Sequence, residues 1–142
     1  MAVIAVDDVE SLVTAHREHR DVGVVVDDAE LLTGTPMEDA LVQLSEIAGT
    51  TGGFVSGAVD AGRATGLFRG LVPALCSDGV GLVLTPTSAG DGDLLRARLE
   101  VVADRRPGLG VLVDGGVTVQ VQVADALSDP SSLSDLVDLQ TT

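Results

Sequence analysis

Lysine is missing altogether from this 142-residue chain, whose eight basic residues are all arginines. A nucleotide cradle of the form G-x-x-x-x-G-K-[ST] places a lysine ammonium on the terminal phosphates, so these residues cannot supply that group. Tryptophan and tyrosine are absent too, and Phe54 and Phe68 are the only aromatics. The core must therefore be built from Val, Leu, Ile and Ala, with no aromatic platform for stacking bases or sugars. Cys76 stands alone, which excludes an internal disulfide and a cysteine-based metal site. No stretch approaches the ~18 uninterrupted apolar residues of a membrane span. The opening residues Met1 to Asp8 lack the basic segment of a signal peptide. A soluble, cytoplasmic protein is expected.

What is present reads as one globular domain. Hydrophobic residues make up 45% and charged residues 21%, and the length suffices to bury a core. The net charge is −14, with acidic side chains spread along the whole chain. Such a surface repels phosphate backbones and acidic headgroups, so direct nucleic-acid binding is not expected.

Short apolar runs alternate with amphipathic stretches. Ala2 to Val6 reads as a strand, followed by a helix capped by Asp8 with Val9, Leu12, Val13 and His16 at helical spacing. Val22 to Val26 is apolar or glycine throughout, as in a parallel strand covered on both faces. Thr35-Pro36-Met37-Glu38 is a helix start with an N-cap, a proline at the first position and a capping-box glutamate. Met37, Leu41, Leu44 and Ala48 form its apolar stripe. Phe54 to Gly57 reads as a third strand. Asp60 then caps a helix reaching to about Val72, on which Gly62, Gly66 and Gly70 would let another backbone approach. Val80 to Leu84 is a fourth strand, Pro86 to Gly92 a loop, and Asp93 to Leu99 a short helix. Gly110 to Val113 and Val117 to Val123, flanking Asp114-Gly115-Gly116, predict a hairpin. Strand–helix alternation predicts an α/β fold, a mostly parallel sheet with flanking helices and a C-terminal β-hairpin. Residues 1–124 are expected to form the domain, and residues 125–142 an acidic, Ser-rich tail. In that tail Leu133, Leu136, Val137 and Leu139 suffice for one short amphipathic helix.

The run Val22-Gly23-Val24-Val25-Val26-Asp27-Asp28 is an apolar strand ending in two carboxylates, the Walker B pattern that delivers acids to a magnesium site. Together with VGVVVDDAELLTGTPMEDAL, the segments RATGLFRGLVPAL, GLVLTPTSAGDGDLLRARL and RPGLGVLVDGGVTVQVQVA follow in order. This series resembles the second half of an FtsK/SpoIIIE-type ATPase domain, in the actinobacterial branch that includes type VII secretion ATPases. The resemblance runs from about residue 2 to about residue 124. It implies a partial RecA-like fold taken up just after the P-loop helix. Ala2 to Val6 would be the second strand, Val22 to Val26 the Walker B strand, Phe54 to Gly57 the sensor strand and Val80 to Leu84 the fifth. The P-loop strand, which this chain lacks, would lie between the last two. That leaves a gap to be closed by rearrangement, by the tail or by a second copy.

By the same resemblance Asp27 is the magnesium-holding acid and Asp28 the acid that polarises the attacking water. Asp28 is shorter than the glutamate many members carry there. Ser56 falls near the sensor position. Arg63 and Arg69, on the following helix, are candidates for an arginine that reaches a neighbour's γ-phosphate. Read without the resemblance, Asp27-Asp28 begins the loop after a buried strand, Ser56 terminates a strand, and the arginines are solvated ion-pair partners. His16 and His19 lack a third ligand beside them. Asp91-Gly92-Asp93 misses the calcium-loop spacing, and Cys76 has no adjacent base.

The resemblance implies ATP and magnesium, yet no cofactor is expected for this chain alone, and it is not expected to act as an autonomous ATPase. The reading is a non-catalytic ATPase module that works by binding a partner protein or itself. The alternative is a split half that supplies Asp27 and Asp28 in trans to a P-loop-bearing partner in DNA or protein translocation. A third reading is a remnant of a larger translocation ATPase.

Overall fold

Two small sheets and a layer of helices make up the computed structural model, which describes residues 3–101 and 107–123. The tail expected over residues 125–142 lies outside the described residues. Helix α1 (Val9–Glu18) starts where the Asp8 carboxylate accepts hydrogen bonds from the Ser11 N–H (3.0 Å) and hydroxyl (2.6 Å). Strand β1 (Gly23–Val26) runs parallel to β2 (Phe54–Gly57), with Gly23 opposite Phe54 and Val26 opposite Gly57. Between them lie a 3-10 helix (Ala29–Leu32) and α2 (Pro36–Thr51). After β2 come α3 (Ala61–Ala64) and α4 (Leu71–Leu75), and then an antiparallel sheet in the order β3–β4–β5. Its strands are β3 (Val80–Leu84), β4 (Leu109–Asp114) and β5 (Val117–Gln122).

A mixed α/β architecture is therefore present, and its sheet arrangement differs from a single, mostly parallel sheet. One parallel pair exists, and β3 joins β4 antiparallel in a separate sheet. The stretch expected as a first strand forms none over residues 3–6. Val3 and Val6 are exposed there, and the Asp8 N–H closes a turn onto the Ala5 carbonyl. The hairpin forms as its sequence requires. Gly115 and Gly116 take φ of +54° and +88°, the left-handed pair that a two-residue type I′ turn demands.

The main core gathers Leu12, Val26, Leu32, Met37, Leu41, Leu44, Leu71 and Val72. A second cluster joins Leu95, Ala97 and Leu99 to Val111 and Val113, and Cys76 touches both clusters. Neither phenyl belongs to a core, and Phe68 is 90% exposed. Among the described residues strand β1 is covered on one face rather than two: Val26 is buried while Val25 is exposed. The stripe on α2 is buried at Met37, Leu41, Leu44 and Ala48, with Thr35 accepting from the Glu38 N–H at 3.2 Å.

The long helix expected from Asp60 breaks in two. Asp60 does cap α3, accepting from the Arg63 N–H at 2.9 Å, but α3 stops at Ala64. Glycines destabilise a helix by roughly 1 kcal/mol each relative to alanine, and Gly70, at φ +92°, turns the chain before α4. Pro73 lies in the first turn of α4, where its missing N–H costs no helical bond. Among the described residues, no backbone outside their own turns lies within 4 Å of a Cβ built at Gly62 or Gly66. The space over Gly70 is filled instead by the Glu38 carboxylate. Glu38 does not close a capping box onto Thr35. Its Oε2 accepts from the Gly34 N–H (2.8 Å) and its Oε1 from the Leu71 N–H (3.0 Å), 33 residues away. The helix expected over Asp93 to Leu99 lies earlier, as a 3-10 helix over Ala89–Leu95 with a capping box between Ser88 and Asp91. It ends at Arg96 in the left-handed region, after which Ala97 and Leu99 point inward without joining a ladder.

Glu38→Ala should destabilise the fold by about 3 kcal/mol in denaturant titrations, because two charge-assisted bonds to backbone N–H groups are lost. Gly70→Ala should cost about 1–3 kcal/mol for its left-handed backbone, with a further loss from the clash between its Cβ and the Glu38 carboxylate. That clash disappears when Glu38 is removed, so the two losses should add to less than their sum.

The Asp91 carboxyl makes a second measurable contribution. The Ser88 hydroxyl, and then the Thr87 and Ser88 N–H groups, hold it down at about 2. A carboxylate lowered on folding stabilises above its unfolded value, about 4, and loses that contribution as pH falls through its folded value. Between those limits Asp91→Asn should flatten the dependence of stability on pH, measured by thermal unfolding across that window.

Candidate functional site

Parallel strands leave their C-terminal ends together, and the crevice there is where open α/β sheets bind ligands. In this protein that end gathers Asp27, Asp28, Glu30 and Arg63. Val26 is the last residue of β1, and Asp27 and Asp28 follow it, both exposed. The Asp27 carboxylate folds back to accept from the Asp28 N–H at 3.1 Å. Asp28 takes φ 49° and ψ 48°, a left-handed conformation that short polar side chains tolerate. This turn swings the chain from the strand into the 3-10 helix. There the Ala29 N–H reaches the Ala58 carbonyl just beyond β2, at 3.0 Å.

Glu30 is the residue that sequence reasoning passed over. Its side chain is 3% exposed, and neither carboxylate oxygen finds a hydrogen-bond donor among the described residues. Its counter-charge is Arg63 on α3, with Nη1 3.8 Å from Oε1. That is the one ion pair among the described residues, and it occupies the arginine expected to reach out to a neighbour. The remaining sequence signal for Glu30 is its place in the Asp27-Asp28-Ala29-Glu30 run, two positions after the paired acids. Helical or turn spacing carries it back under the sheet rather than out to solvent.

Ser56 is the penultimate residue of β2, opposite Val25, and is exposed on the sheet face that the helices leave open. Arg69 is exposed in the loop between α3 and α4 rather than on a helix. The structure thus brings Asp27, Asp28, Glu30 and Arg63 to one end of the parallel pair. Ser56 lies on a bare face of that pair and Arg69 in a separate loop. Among the described residues no group of three or more His, Cys, Asp or Glu is placed to hold a metal ion. His16 is on α1 with both ring nitrogens buried and unpartnered among the described residues, and His19 caps that helix. Burial raises the Cys76 thiol above its ordinary value, which disfavours the thiolate form.

The edges of the parallel pair complete the geometry. The Phe54 N–H donates to Val22 and the Ala58 N–H to Val26, so residues 54, 56 and 58 turn their peptide groups toward β1. The peptide groups of Val55 and Gly57 then face the opposite edge of β2, where no strand pairs with them among the described residues. Likewise Gly79 and Thr85 bond across to β4, so Val80, Leu82 and Leu84 direct theirs to the free edge of β3.

Compared with known proteins, the chain matches no family model, no curated protein and no solved structure.

Removing Arg63 should leave a buried carboxylate without a counter-charge. Arg63→Met is expected to cost about 1–2 kcal/mol, between the values for exposed and for buried pairs because the guanidinium is largely in water. In a Glu30→Gln background the same substitution should cost almost nothing, since a neutral amide needs no cation. A double-mutant cycle by chemical denaturation checks both.

Proposed function

We propose that this protein is a non-catalytic module resembling an FtsK/SpoIIIE-type ATPase domain, which acts by binding another protein. The observation that carries this reading is the β1–β2 pair. A strand ending in two exposed acids lies parallel to and beside the strand read as the sensor, as in a RecA-like core. The edge of β2 where the P-loop strand would lie is open. The separation of β2 from β3 into two sheets falls where the resemblance puts the missing strand.

The donor set argues against ATP and magnesium on this chain by itself. Triphosphate approaching the strand ends meets Asp27 and Asp28 and no lysine. Arg63 is already engaged by Glu30. Phosphate binding needs converging amides or cations, and this end of the sheet offers carboxylates. A magnesium ion would meet Asp27 with part of its lone-pair capacity already used by the Asp28 N–H.

The open β2 edge also favours a second reading, in which a P-loop-bearing partner adds its strand beside Val55 and Gly57. Asp27 and Asp28 would then serve a site assembled from two chains in DNA or protein translocation. An unpaired edge is a template for strand addition, and the alignment it imposes would bring the partner's phosphate loop to the acids.

Titration with Mg-ATP by calorimetry separates the readings. The pure protein is expected to show no saturable binding up to millimolar nucleotide; tight binding would defeat the non-catalytic reading. Hydrolysis that appears only on mixing with a Walker A-bearing partner, and is lost in Asp28→Ala, would establish the split site in its place.

A further inference from the structure

Strand β5 is an edge without the usual guards. It runs Val117-Thr118-Val119-Gln120-Val121-Gln122 with no proline, no bulge and no ionisable side chain, and the uncharged stretch extends from Gly115 to Val123. Natural sheets blunt their edges with those devices, because a flat row of unpaired peptide groups is a template for another strand. The register with β4 identifies the unpaired groups. Residues opposite one another in an antiparallel pair alternate between exchanging two hydrogen bonds and exchanging none. Asp114 and Val117 flank the two-residue turn, and Val123 donates to Gly108 at 2.8 Å, so 117, 119, 121 and 123 turn their peptide groups to β4. Thr118, Gln120 and Gln122 turn theirs outward, where no strand pairs with them among the described residues. The Gln122 side-chain amide leans back to the Pro107 carbonyl at 2.7 Å. The strand is exposed along its length except at Val121, which is half-buried. The opposite edge of the sheet is less open. Strand β3 contains Gly81 and stops at Thr85, which is left-handed at φ 48°, just before Pro86. Glycine weakens a strand and proline ends its donor row.

We propose that β5 pairs antiparallel with β5 of a second copy of this chain, across a two-fold axis at Gln120, and so doubles the three-stranded sheet. The strand is complementary to itself. With the axis at residue 120, Thr118 lies opposite Gln122 and Gln120 opposite its own copy. These pairs use every outward peptide group of the strand and exchange about six hydrogen bonds, two for each pair. An axis at Val119 would set Gln122 against the Gly116 turn, and one at Val121 would carry Thr118 past the end of the strand. Because side chains alternate, the same register sets Val119 against Val121 and Val117 against Val123 on one face, β-branched pairs that stabilise a sheet. On the other face the two Gln120 amides meet, each with donors and an acceptor to offer its copy.

Charge permits this contact. Two chains of net charge −14 repel, yet the meeting strands carry no ionisable group. Asp114 is the described acid that adjoins the strand. Its two copies would lie some 25 Å apart at strand and residue spacings of ~4.8 and ~3.4 Å, beyond the screening length of roughly 8–10 Å at ordinary ionic strength. A strip of peptide groups and small side chains is a small interface, so the dimer belongs to the weak, concentration-dependent class, and added salt strengthens it. Neither Asp27 and Asp28 nor the edge of β2 takes part, so the pairing is independent of the proposed function.

Sedimentation and amide hydrogen exchange of the full-length chain, over a range of concentration and salt, provide the test. The Thr118, Gln120 and Gln122 amides should gain protection as dimer forms, while those of Val119 and Val121, bonded to β4 in either state, stay protected throughout. In a mixed-label sample the α-protons of Val119 and Val121 should show Overhauser contacts between molecules, since facing residues that exchange no hydrogen bonds bring their Cα atoms to ~4.5 Å. Gln120→Pro removes an N–H that points outward and spares the ladder to β4. It should weaken dimerisation about tenfold or more, as each copy loses a central bond, with Val119 and Val121 still protected. Gln120→Glu, which sets like charges face to face, should weaken it several-fold, and mixing with Gln120→Lys chains should restore it. A monomer at every concentration, or protection of the three outward amides that does not depend on concentration, would overturn the proposal. So would a dimer indifferent to the Gln120 variants, or one that protects Val80, Leu82 and Leu84 in their place.

Discussion

The carboxylate of Glu38 lies where three segments meet: the Gly34 turn, the start of α2 and the start of α4. Burying an ionised group is unfavourable unless donors replace the water it loses, and two backbone N–H groups do so here. One of them, that of Leu71, is an orphan donor at a helix N-terminus, where a negative charge is further favoured by the helix dipole. The contact works only because Gly70 has no side chain and adopts a left-handed backbone. With α4 held at this point, Leu71 and Val72 are driven fully into the core beside α2. The chain then leaves α4 through Cys76, which touches both core clusters. The position of β3, and with it of the whole antiparallel sheet, follows from that anchor.

Much of this order could be read from local chemistry. The Thr35-Pro36 start, the stripe Met37-Leu41-Leu44-Ala48 and the Gly115-Gly116 turn each depend on neighbours in sequence, and each forms as its residues require. So do the strands around Val24, Val55 and Leu82. Sheet membership was not legible, because a run such as Val80 to Leu84 suits a parallel centre and an antiparallel edge equally. The pairing with β4 is decided by a hairpin some thirty residues on. Glu38 shows the same limit from another side. Its spacing from Thr35 fits a capping box, but the donor it reaches lies 33 residues away and has no local signature. At the candidate site, Asp27 and Asp28 were legible as acids closing an apolar strand. The burial of Glu30 against Arg63 was not, since it requires α3 to bring Arg63 against the 3-10 helix that follows β1.

The acids at the end of β1 differ in how their charge is accommodated. Asp27 and Asp28 remain in water, where like charges a few ångströms apart cost little. Glu30 is withdrawn from water, and it pairs with Arg63. Selection for a phosphate site would leave a cation free at this end of the sheet. The arrangement here commits the cation to an internal carboxylate and presents two acids outward. This electrostatic logic is what supports the proposed reading of a surface that recognises a protein, or awaits a cation from elsewhere, over one that grips a nucleotide.

Scarcity of aromatics ties the two open features of the molecule together. A phenyl or indole buries far more area than a valine, so a chain with two phenylalanines, both largely outside the core, must spread burial over many small aliphatic contacts. Such contacts are made efficiently only when sheets are covered on both faces. The described residues cover one face of each sheet, leaving Val25 and Phe54 bare on the parallel pair and a valine–leucine surface bare on the antiparallel one. The two vacancies call for different occupants. The β2 edge presents unpaired peptide groups, which only an extended backbone can satisfy. The outer face of β3–β5 presents side chains, which a helix can cover without offering a single hydrogen bond. An edge and a face thus differ in what can cover them: an extended strand for the one, apolar side chains on any secondary structure for the other.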